Sequence, residues 1–144
     1  MTESGTALGK AMRQALQQHV VPALRQRGFS GTLPHFRRVA PDKVDLLSFQ
    51  FDRYGGGFVL ELAEAPAGDL VKSWGKVIPA KRLCALDVNP PARRRLQPRS
   101  GLTTDAWFRF DDGSAIDGVV QGVLQHLSQA DAWFAGHKAQ PNIR

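Results

Sequence analysis

One stretch of the chain, FQFDRYGGGFVLEL, limits the possible folds more than any other. It runs from Phe49 to Leu62, and apolar and polar residues alternate on both sides of three consecutive glycines. Such alternation is typical of half-buried β-strands, and glycines accept the positive φ angles of a tight hairpin. A connection this short excludes a parallel crossover, which needs about a dozen residues or more. The stretch therefore predicts an antiparallel hairpin.

A phosphate-binding loop is the alternative interpretation of these glycines. The patterns GxxxxGK[ST] and GxGxxG both require a helix after the loop, because the amides of its first turn point at the anion. Here the glycines lead from one strand into another. We therefore interpret Gly55, Gly56 and Gly57 as a turn, and we expect no nucleotide cofactor.

The N-terminal part of the chain predicts an amphipathic helix over residues 6–26, because its apolar residues recur at steps of three and four. These residues are Leu8, Met12, Ala15, Leu16, Val20 and Leu24. Pro22 lacks an amide hydrogen, so a kink or a break is expected near residues 19–21. Gly28 is expected to cap the helix in a left-handed conformation, with Phe29 folding back near Leu24.

Further strands are predicted at 35–39, at 104–110 and, from a weaker pattern, at 81–86. Ser114 and Asp117 resemble a capping box that opens a long helix, and a separate short helix is predicted at 130–135. Strands in the middle and helices at both ends indicate an α+β fold. We expect an antiparallel sheet of about four to five strands, packed on one face by an N-terminal helix and C-terminal helices.

The length of 144 residues fits one domain, 1–144, with enough apolar residues for a single core. We expect flexible ends at about 1–5 and 137–144, and a basic, proline-rich loop at 88–103. Cys84 is the only cysteine, so no internal disulfide can form. With no secretory signal and no membrane span in the sequence, we expect a cytoplasmic protein that does not enter a membrane.

The positive charge is concentrated in one segment. The net charge is +6, and residues 76–100 contain seven basic residues against one acidic residue, Asp87. The basic residues are Lys76, Lys81, Arg82, Arg93, Arg94, Arg95 and Arg99. A focused basic patch attracts an acidic partner, and nucleic acid is one candidate. However, the run lacks interleaved aromatic residues and matches no helix-turn-helix or RNA-binding motif, so solvation at the surface is the simpler interpretation.

No catalytic or metal-binding pattern stands out. The four histidines form none of the HxH, HxxxH or HExxH spacings that bind zinc. Cys84 lies among apolar residues, which raise the pKa of a thiol, so we expect an inert cysteine rather than a nucleophile. No serine lies in a GxSxG motif. We therefore assign no catalytic, cofactor-binding or metal-binding residue.

Several segments together resemble an uncharacterised, mainly bacterial family, the domain of unknown function 4304 family. They are LRQRGF (24–29), FRR (36–38), FQFDRYGGGF (49–58), DAWFRF (105–110) and AWF (132–134). Their order and spacing span most of the chain. The chain departs from the family pattern at Ser48, where asparagine is usual, and at Trp107-Phe108, where paired tryptophans are frequent. The resemblance implies one α+β domain with no assigned activity, cofactor or catalytic residue.

If helices cover the phenylalanine face of the sheet, the opposite face is left open and polar, and it can bind a partner. Candidate partner-binding residues on or beside that face are Arg37, Gln50, Arg53 and Tyr54. We favour a non-enzymatic module that binds a protein partner through this face or through the basic segment. The alternatives are nucleic-acid binding through the basic segment 76–100, and an enzyme with a dispersed site around Gln50 and Tyr54.

Overall fold

The computed structural model describes residues 2–52, 55–72, 74–96, 107–110 and 116–136 of the chain. The helical elements are α1 (Thr2–Ala15), a π-helical turn (Leu16–Val20), α2 (Val21–Gln26) and α3 (Ile116–Ala135). The strands are β1 (Ser30–Thr32), β2 (His35–Val39), β3 (Lys43–Phe51), β4 (Gly57–Pro66), β5 (Leu70–Val71), β6 (Val77–Ile78), β7 (Arg94–Leu96) and β8 (Phe108–Arg109). Three 3-10 turns lie between β6 and β7, at Ala80–Arg82, Ala85–Asp87 and Pro90–Ala92.

The main sheet is antiparallel and has six strands in the order β1-β2-β3-β4-β7, with β8 pairing another part of β4. Strands β5 and β6 form a separate two-stranded sheet. The predicted α+β class is confirmed. The main sheet has more strands than the four or five expected, because β1 and β7, which were not predicted, are only three residues long. Alternation over so few residues gives no detectable period.

The glycine triplet forms the predicted turn. Strand β3 pairs with β4 over all nine of its residues, and both Gly55 and Gly56 have positive φ angles, of 87° and 85°. The amide of Asp52 donates a hydrogen bond to the carbonyl of Gly57 at 2.9 Å and closes the loop. The glycines lead into β4 rather than into a helix, so the hairpin interpretation is confirmed.

The N-terminal helix is interrupted near Pro22, as predicted. An α-helix passes into the π-helical turn and continues as α2, because Pro22 has no amide hydrogen to offer the preceding turn. Gly28, at a φ of 93°, ends α2. Its amide donates to the carbonyl of Arg25, and the amide of Phe29 donates to the carbonyl of Leu24, both at 3.0 Å. This is the expected glycine cap with its phenylalanine folded back.

The helices pack on the sheet face that carries the phenylalanines and form the first core. Its largest fully buried side chains include Met12, Leu16, Leu24, Phe36, Leu47, Phe49, Phe58, Leu60, Leu62 and Phe134. Leu8, which the helical pattern placed on the buried stripe, is exposed instead. The predicted separate helix at 130–135 is also wrong, since α3 is continuous and buries Ala130 and Phe134 on one stripe. Alanine favours the helix, so the chain has no reason to break there.

The opposite face of the sheet is covered as well, which corrects the expectation of an open polar surface. A second core on this face consists of Val44, Leu46, Ala63, Ala65, Leu70, Leu83, Ala85 and Val88. The covering residues come from the segment between β4 and β7. The strand predicted at 81–86 is wrong, because this segment runs through two 3-10 turns and has no partner strand along most of its length.

The predicted basic loop 88–103 is in part a strand, since Arg94–Leu96 pair with Leu60, Glu61 and Leu62 of β4. Residues 97–103 of that loop, residues 104–106 of the predicted strand, the capping residue Ser114 and the C-terminal end 137–144 lie outside the described residues. Residues 2–5, expected to be flexible, belong to α1. None of the described helices has the length and apolar character that crossing a membrane requires.

Candidate functional site

Arg37 and Gln50 were predicted to share an open face, but both are partly buried and they lie apart. By register Arg37 is opposite Leu46, which lies four residues from Gln50 along β3, or about 13 Å. The Nε atom of Arg37 is buried without a hydrogen-bond partner in the described part of the chain. Three further predicted residues, Arg53, Tyr54 and Arg99, lie outside the described residues.

Two arginines of the basic segment are bound within the protein. Nε of Arg95 lies 2.7 Å from Oε2 of Glu61, and Nη1 of Arg93 lies 4.0 Å from Oε1 of the same carboxylate. Arg93 also donates to the carbonyls of Val88 and Leu86, at 2.7 and 2.6 Å. Glu61 is buried, so this carboxylate neutralises charge inside the fold. Arg93 and Arg95 are therefore not available as free phosphate ligands.

A polar row crosses the covered face of the sheet, through His35, Ser48, Glu61 and Arg95 on β2, β3, β4 and β7. Nδ1 of His35 lies 2.8 Å from Oγ of Ser48, and the amide of Ala85 donates to the same hydroxyl at 3.2 Å. Ser48 has no exposed surface. The row attaches the covering segment to the sheet, and a substrate in solvent does not reach the serine.

A larger ion cluster joins α2, α3 and the sheet. It consists of the cations Arg27, Arg38 and Lys43 and the carboxylates Asp45, Glu64 and Asp131. Arg38 contacts Asp45 at 2.8 Å, and its guanidinium lies 4.4 Å from the ring centroid of Phe29. A cavity of about 410 Å³ adjoins the cluster. Because three positive charges meet three negative ones, the cluster offers no unbalanced charge to an ionic ligand.

Lys43 is the most enclosed cation of this cluster. Its ammonium contacts Glu64, lies 3.3 Å from Oδ1 of Asp45 and donates to the carbonyl of Phe134 at 2.6 Å. Burial lowers the pKa of Lys43, but the two carboxylates outweigh that effect, so the pKa is raised above its ordinary value of 10.5. Lys43 is therefore a charged structural anchor. Sequence reasoning missed this cluster, because its members lie far apart along the chain.

Two side chains that could act as a nucleophile or a metal ligand, Cys84 and His126, are held by contacts within the fold. Burial, followed by the charge of Asp87, raises the pKa of the Cys84 thiol above 9.0. Nδ1 of His126 lies 2.7 Å from the carbonyl of Gly122, and its ring meets that of Phe108 edge to face. Within the described ranges, no three histidine, cysteine or acidic side chains gather as metal ligands.

An exposed tryptophan and three exposed cations of the basic segment lie in one short stretch of the chain. Trp74, at the tip of the β5–β6 hairpin, is 69% exposed, and Val77 is 51% exposed. Lys76, Lys81 and Arg82 are exposed in the same short segment. We call Trp74, Lys76, Val77, Lys81 and Arg82 the hairpin surface. The predicted cations Lys81 and Arg82 belong to it, whereas Arg94 is exposed on the strand β7.

Contacts of Lys72 and Asp69 hold the hairpin surface in place. The ammonium of Lys72 lies 5.6 Å from the ring centroid of Trp74, contacts the carbonyl of Asp87 and lies 3.3 Å from Oδ1 of Asn89. Oδ1 of Asp69 accepts a hydrogen bond from the amide of Ala80 at 2.7 Å and closes the base of the hairpin. The indole is thus supported from beneath by a buried cation, and its remaining surface faces solvent.

Sequence reasoning missed Trp74 and Val77. The available signal was the pair of short apolar segments, Leu70-Val71 and Val77-Ile78, on either side of Trp74-Gly75. This pattern is typical of a tight hairpin with an aromatic residue at its tip. Whether the aromatic ring points into a core or into solvent depends on tertiary contacts that no local pattern contains.

Comparison with known proteins gives one match. A family model described as "Domain of unknown function (DUF4304)" matches residues 20–137, which cover α2, α3 and all strands of both sheets. No curated protein and no solved structure matches the chain.

Proposed function

This chain belongs to the DUF4304 family, a domain of unknown function, and from that premise we propose that it is a non-enzymatic protein-binding module. Its partner is a protein segment that combines an apolar or aromatic residue with several acidic residues. The binding site is the hairpin surface.

The exposed, supported indole of Trp74 carries this proposal. Tryptophan is the residue most enriched among those that dominate binding energy at protein interfaces, and such anchors are effective when they are held rigidly before binding. Trp74 is 69% exposed, yet Lys72 holds it from beneath. Val77 adds apolar area beside it.

The exposed cations that follow Trp74 along the chain favour an acidic partner. Lys76, Lys81 and Arg82 are exposed and take part in no ion pair within the described part of the chain. Complementary charge steers a partner towards the site and suppresses wrong partners. Exposed apolar and basic side chains in one short stretch together match an acidic segment with an apolar anchor residue.

Nucleic acid is the second candidate, and one observation weakens it. Arg93 and Arg95, two of the predicted phosphate contacts, are bound to Glu61. Affinity for nucleic acid grows with the number of phosphates that a protein neutralises, so fewer free cations mean weaker binding. The third hypothesis is an enzyme with a dispersed site around Gln50 and Tyr54. Gln50 lies on the covered face of the sheet and is partly buried, and this placement does not favour a catalytic role.

A peptide-display selection against the full chain tests the proposal. We expect that the peptides which bind the wild-type protein but not the Trp74→Ala variant contain an apolar or aromatic residue flanked by Asp and Glu. Their affinity should fall about tenfold or more on Trp74→Ala, and further when Lys81 and Arg82 are both changed to Glu. Val39→Ala is the matched control, because Val39 is 70% exposed and lies outside the hairpin surface.

Two outcomes would contradict the proposal. One is a selection whose peptides bind Trp74→Ala as tightly as wild type. The other is tighter binding of a single-stranded oligonucleotide than of any selected peptide, lost on Trp74→Ala and weakened steeply by salt, which would identify nucleic acid as the partner.

A further inference from the structure

A shallow, solvent-open cavity of about 650 Å³ lies between α1 and the turn that follows β1. It is lined by Gly9, Lys10, Arg13, Gln14, Gln17 and Leu33. We propose that this cavity binds a small organic anion, a carboxylate or phosphate that carries an alkyl or aryl group, and that Arg13 is its anion-binding residue. The site shares no residue with the hairpin surface, so it does not rest on the proposed function.

The helix directs its polar side chains to one side. Lys10, Arg13, Gln14 and Gln17 follow the spacing i, i+3, i+4 and i+7, which places them on one face of a helix. Two of them are cations and two are amides, so the described part of the wall offers positive charge and neutral hydrogen-bonding groups. Within the described residues, no carboxylate pairs with Lys10 or Arg13. The cavity therefore carries an unbalanced positive charge.

Arg13 is held in position before any ligand arrives. Its guanidinium carbon lies 3.8 Å from the ring centroid of Phe51. Stacking of a guanidinium on an aromatic face leaves the N–H groups at its edge free, and these can bind a carboxylate or a phosphate through two parallel hydrogen bonds. Fixing the side chain in advance reduces the entropy lost on binding.

Gly9 keeps the cavity open. Glycine in the interior of a helix is less stable than alanine, so its presence there needs a reason. A Cβ at Gly9 would meet nothing within 4 Å, and close packing is therefore not that reason. Because Gly9 lines the cavity, the missing side chain leaves room for a ligand.

The volume and the lining define the class of ligand. Cavities that bind small molecules typically measure about 300 to 1,000 Å³ and combine apolar walls with a few polar groups. Leu33 packs against the first core, and Phe51 lies beneath Arg13, so apolar surface adjoins the cations. An inorganic anion would leave that surface uncovered, and a neutral apolar molecule would leave the charges unpaired.

An NMR titration of the ¹⁵N-labelled full chain tests this site with four probes. Octanoate and phenyl phosphate carry both an anion and an apolar group, whereas octanol lacks the anion and inorganic phosphate lacks the apolar group. Saturable shifts of the amides of Gly9, Arg13 and Gln17 are expected with octanoate or phenyl phosphate, and the tighter of the two identifies the head group. Affinities at least tenfold weaker are expected for octanol and inorganic phosphate.

Variants separate the site from general surface binding. Arg13→Gln is expected to weaken the tighter probe at least tenfold, and Gly9→Leu should abolish binding by filling the cavity. Arg94→Gln, which changes an exposed cation on β7 outside both proposed sites, is the control that leaves binding unchanged. Circular dichroism shows whether each variant folds. If Gly9→Leu does not fold, the result for Arg13→Gln decides the question. Equal binding by folded Arg13→Gln, or equal affinity for octanol or inorganic phosphate, would overturn the proposal.

Discussion

The carboxylate of Glu61 on β4 accepts a hydrogen bond from Nε of Arg95 on the neighbouring strand β7, at 2.7 Å. Glu61 is only 4% exposed, and Arg93 approaches its other oxygen. This relationship changes the meaning of the basic segment. Two of its arginines complete the fold by neutralising a buried acid, so fewer of its described cations remain free at the surface.

Removing the Glu61 carboxylate should destabilise the protein. Glu61→Ala leaves Arg93 and Arg95 without their shared partner, and a partly buried cation that loses its carboxylate costs about 2 to 3 kcal/mol. Glu61→Gln keeps the shape and one acceptor, so about half of that loss is expected. Urea denaturation gives the free energies of unfolding. Asp42→Asn, at an exposed turn, is the control with a change below about 0.5 kcal/mol. A similarly small change for Glu61→Ala would show that the pair contributes nothing.

The hairpin turn should depend on the backbone of Gly55. Its φ angle is 87°, and a Cβ added there would meet no atom within 4 Å. Gly55→Ala is therefore expected to lower the free energy of unfolding by about 1 kcal/mol through backbone strain alone. Asparagine tolerates positive φ better than alanine, so Gly55→Asn should recover part of the loss. Thermal denaturation compares the two variants. If alanine proves as stable as glycine, the turn does not require this conformation.

The hairpin and the N-terminal helix were predictable because their signals are local. The glycine triplet between alternating residues, and Pro22 followed by Gly28, each determine backbone geometry within a few residues. The second core was not predictable in this way. Leu83, Ala85 and Val88 follow neither the period of a strand nor that of a helix, because they are placed by short 3-10 turns.

The candidate site was predicted only in part, for a related reason. Lys81 and Arg82 were proposed from charge alone, and both are exposed. Arg93 and Arg95 were equally basic, but the pairing of Arg95 with Glu61 depends on the register between β4 and β7, which joins residues far apart in sequence. The exposure of Trp74 likewise depends on Lys72 and the segment beneath it, so the sequence pattern did not indicate it.

Lys43 should make stability depend on pH only under alkaline conditions. Its pKa is raised above 10.5 in the folded state, so its contribution is fully present below that value and is lost as pH rises through the higher folded pKa. Lys43→Arg keeps its charge in this range. The difference in free energy of unfolding between wild type and Lys43→Arg should be constant from about pH 7 to about pH 9. Above about pH 10.5 the wild-type protein should lose stability relative to Lys43→Arg, because Lys43 loses its charge there and arginine does not. A difference that changes near neutral pH would contradict this assignment.

Cys84 should react slowly with alkylating agents although it is only partly buried. Burial and the nearby charge of Asp87 raise its pKa above 9.0, and the thiolate is the reactive form. The rate of carboxamidomethylation by iodoacetamide, followed by mass spectrometry, should therefore have its pH midpoint above 9.0. Unfolding in urea removes both causes and should accelerate the reaction at about pH 8. Asp87→Asn removes one of them and should shift the midpoint downwards while the fold persists. A midpoint in the native protein at or below that of the unfolded chain would instead identify an activated thiol.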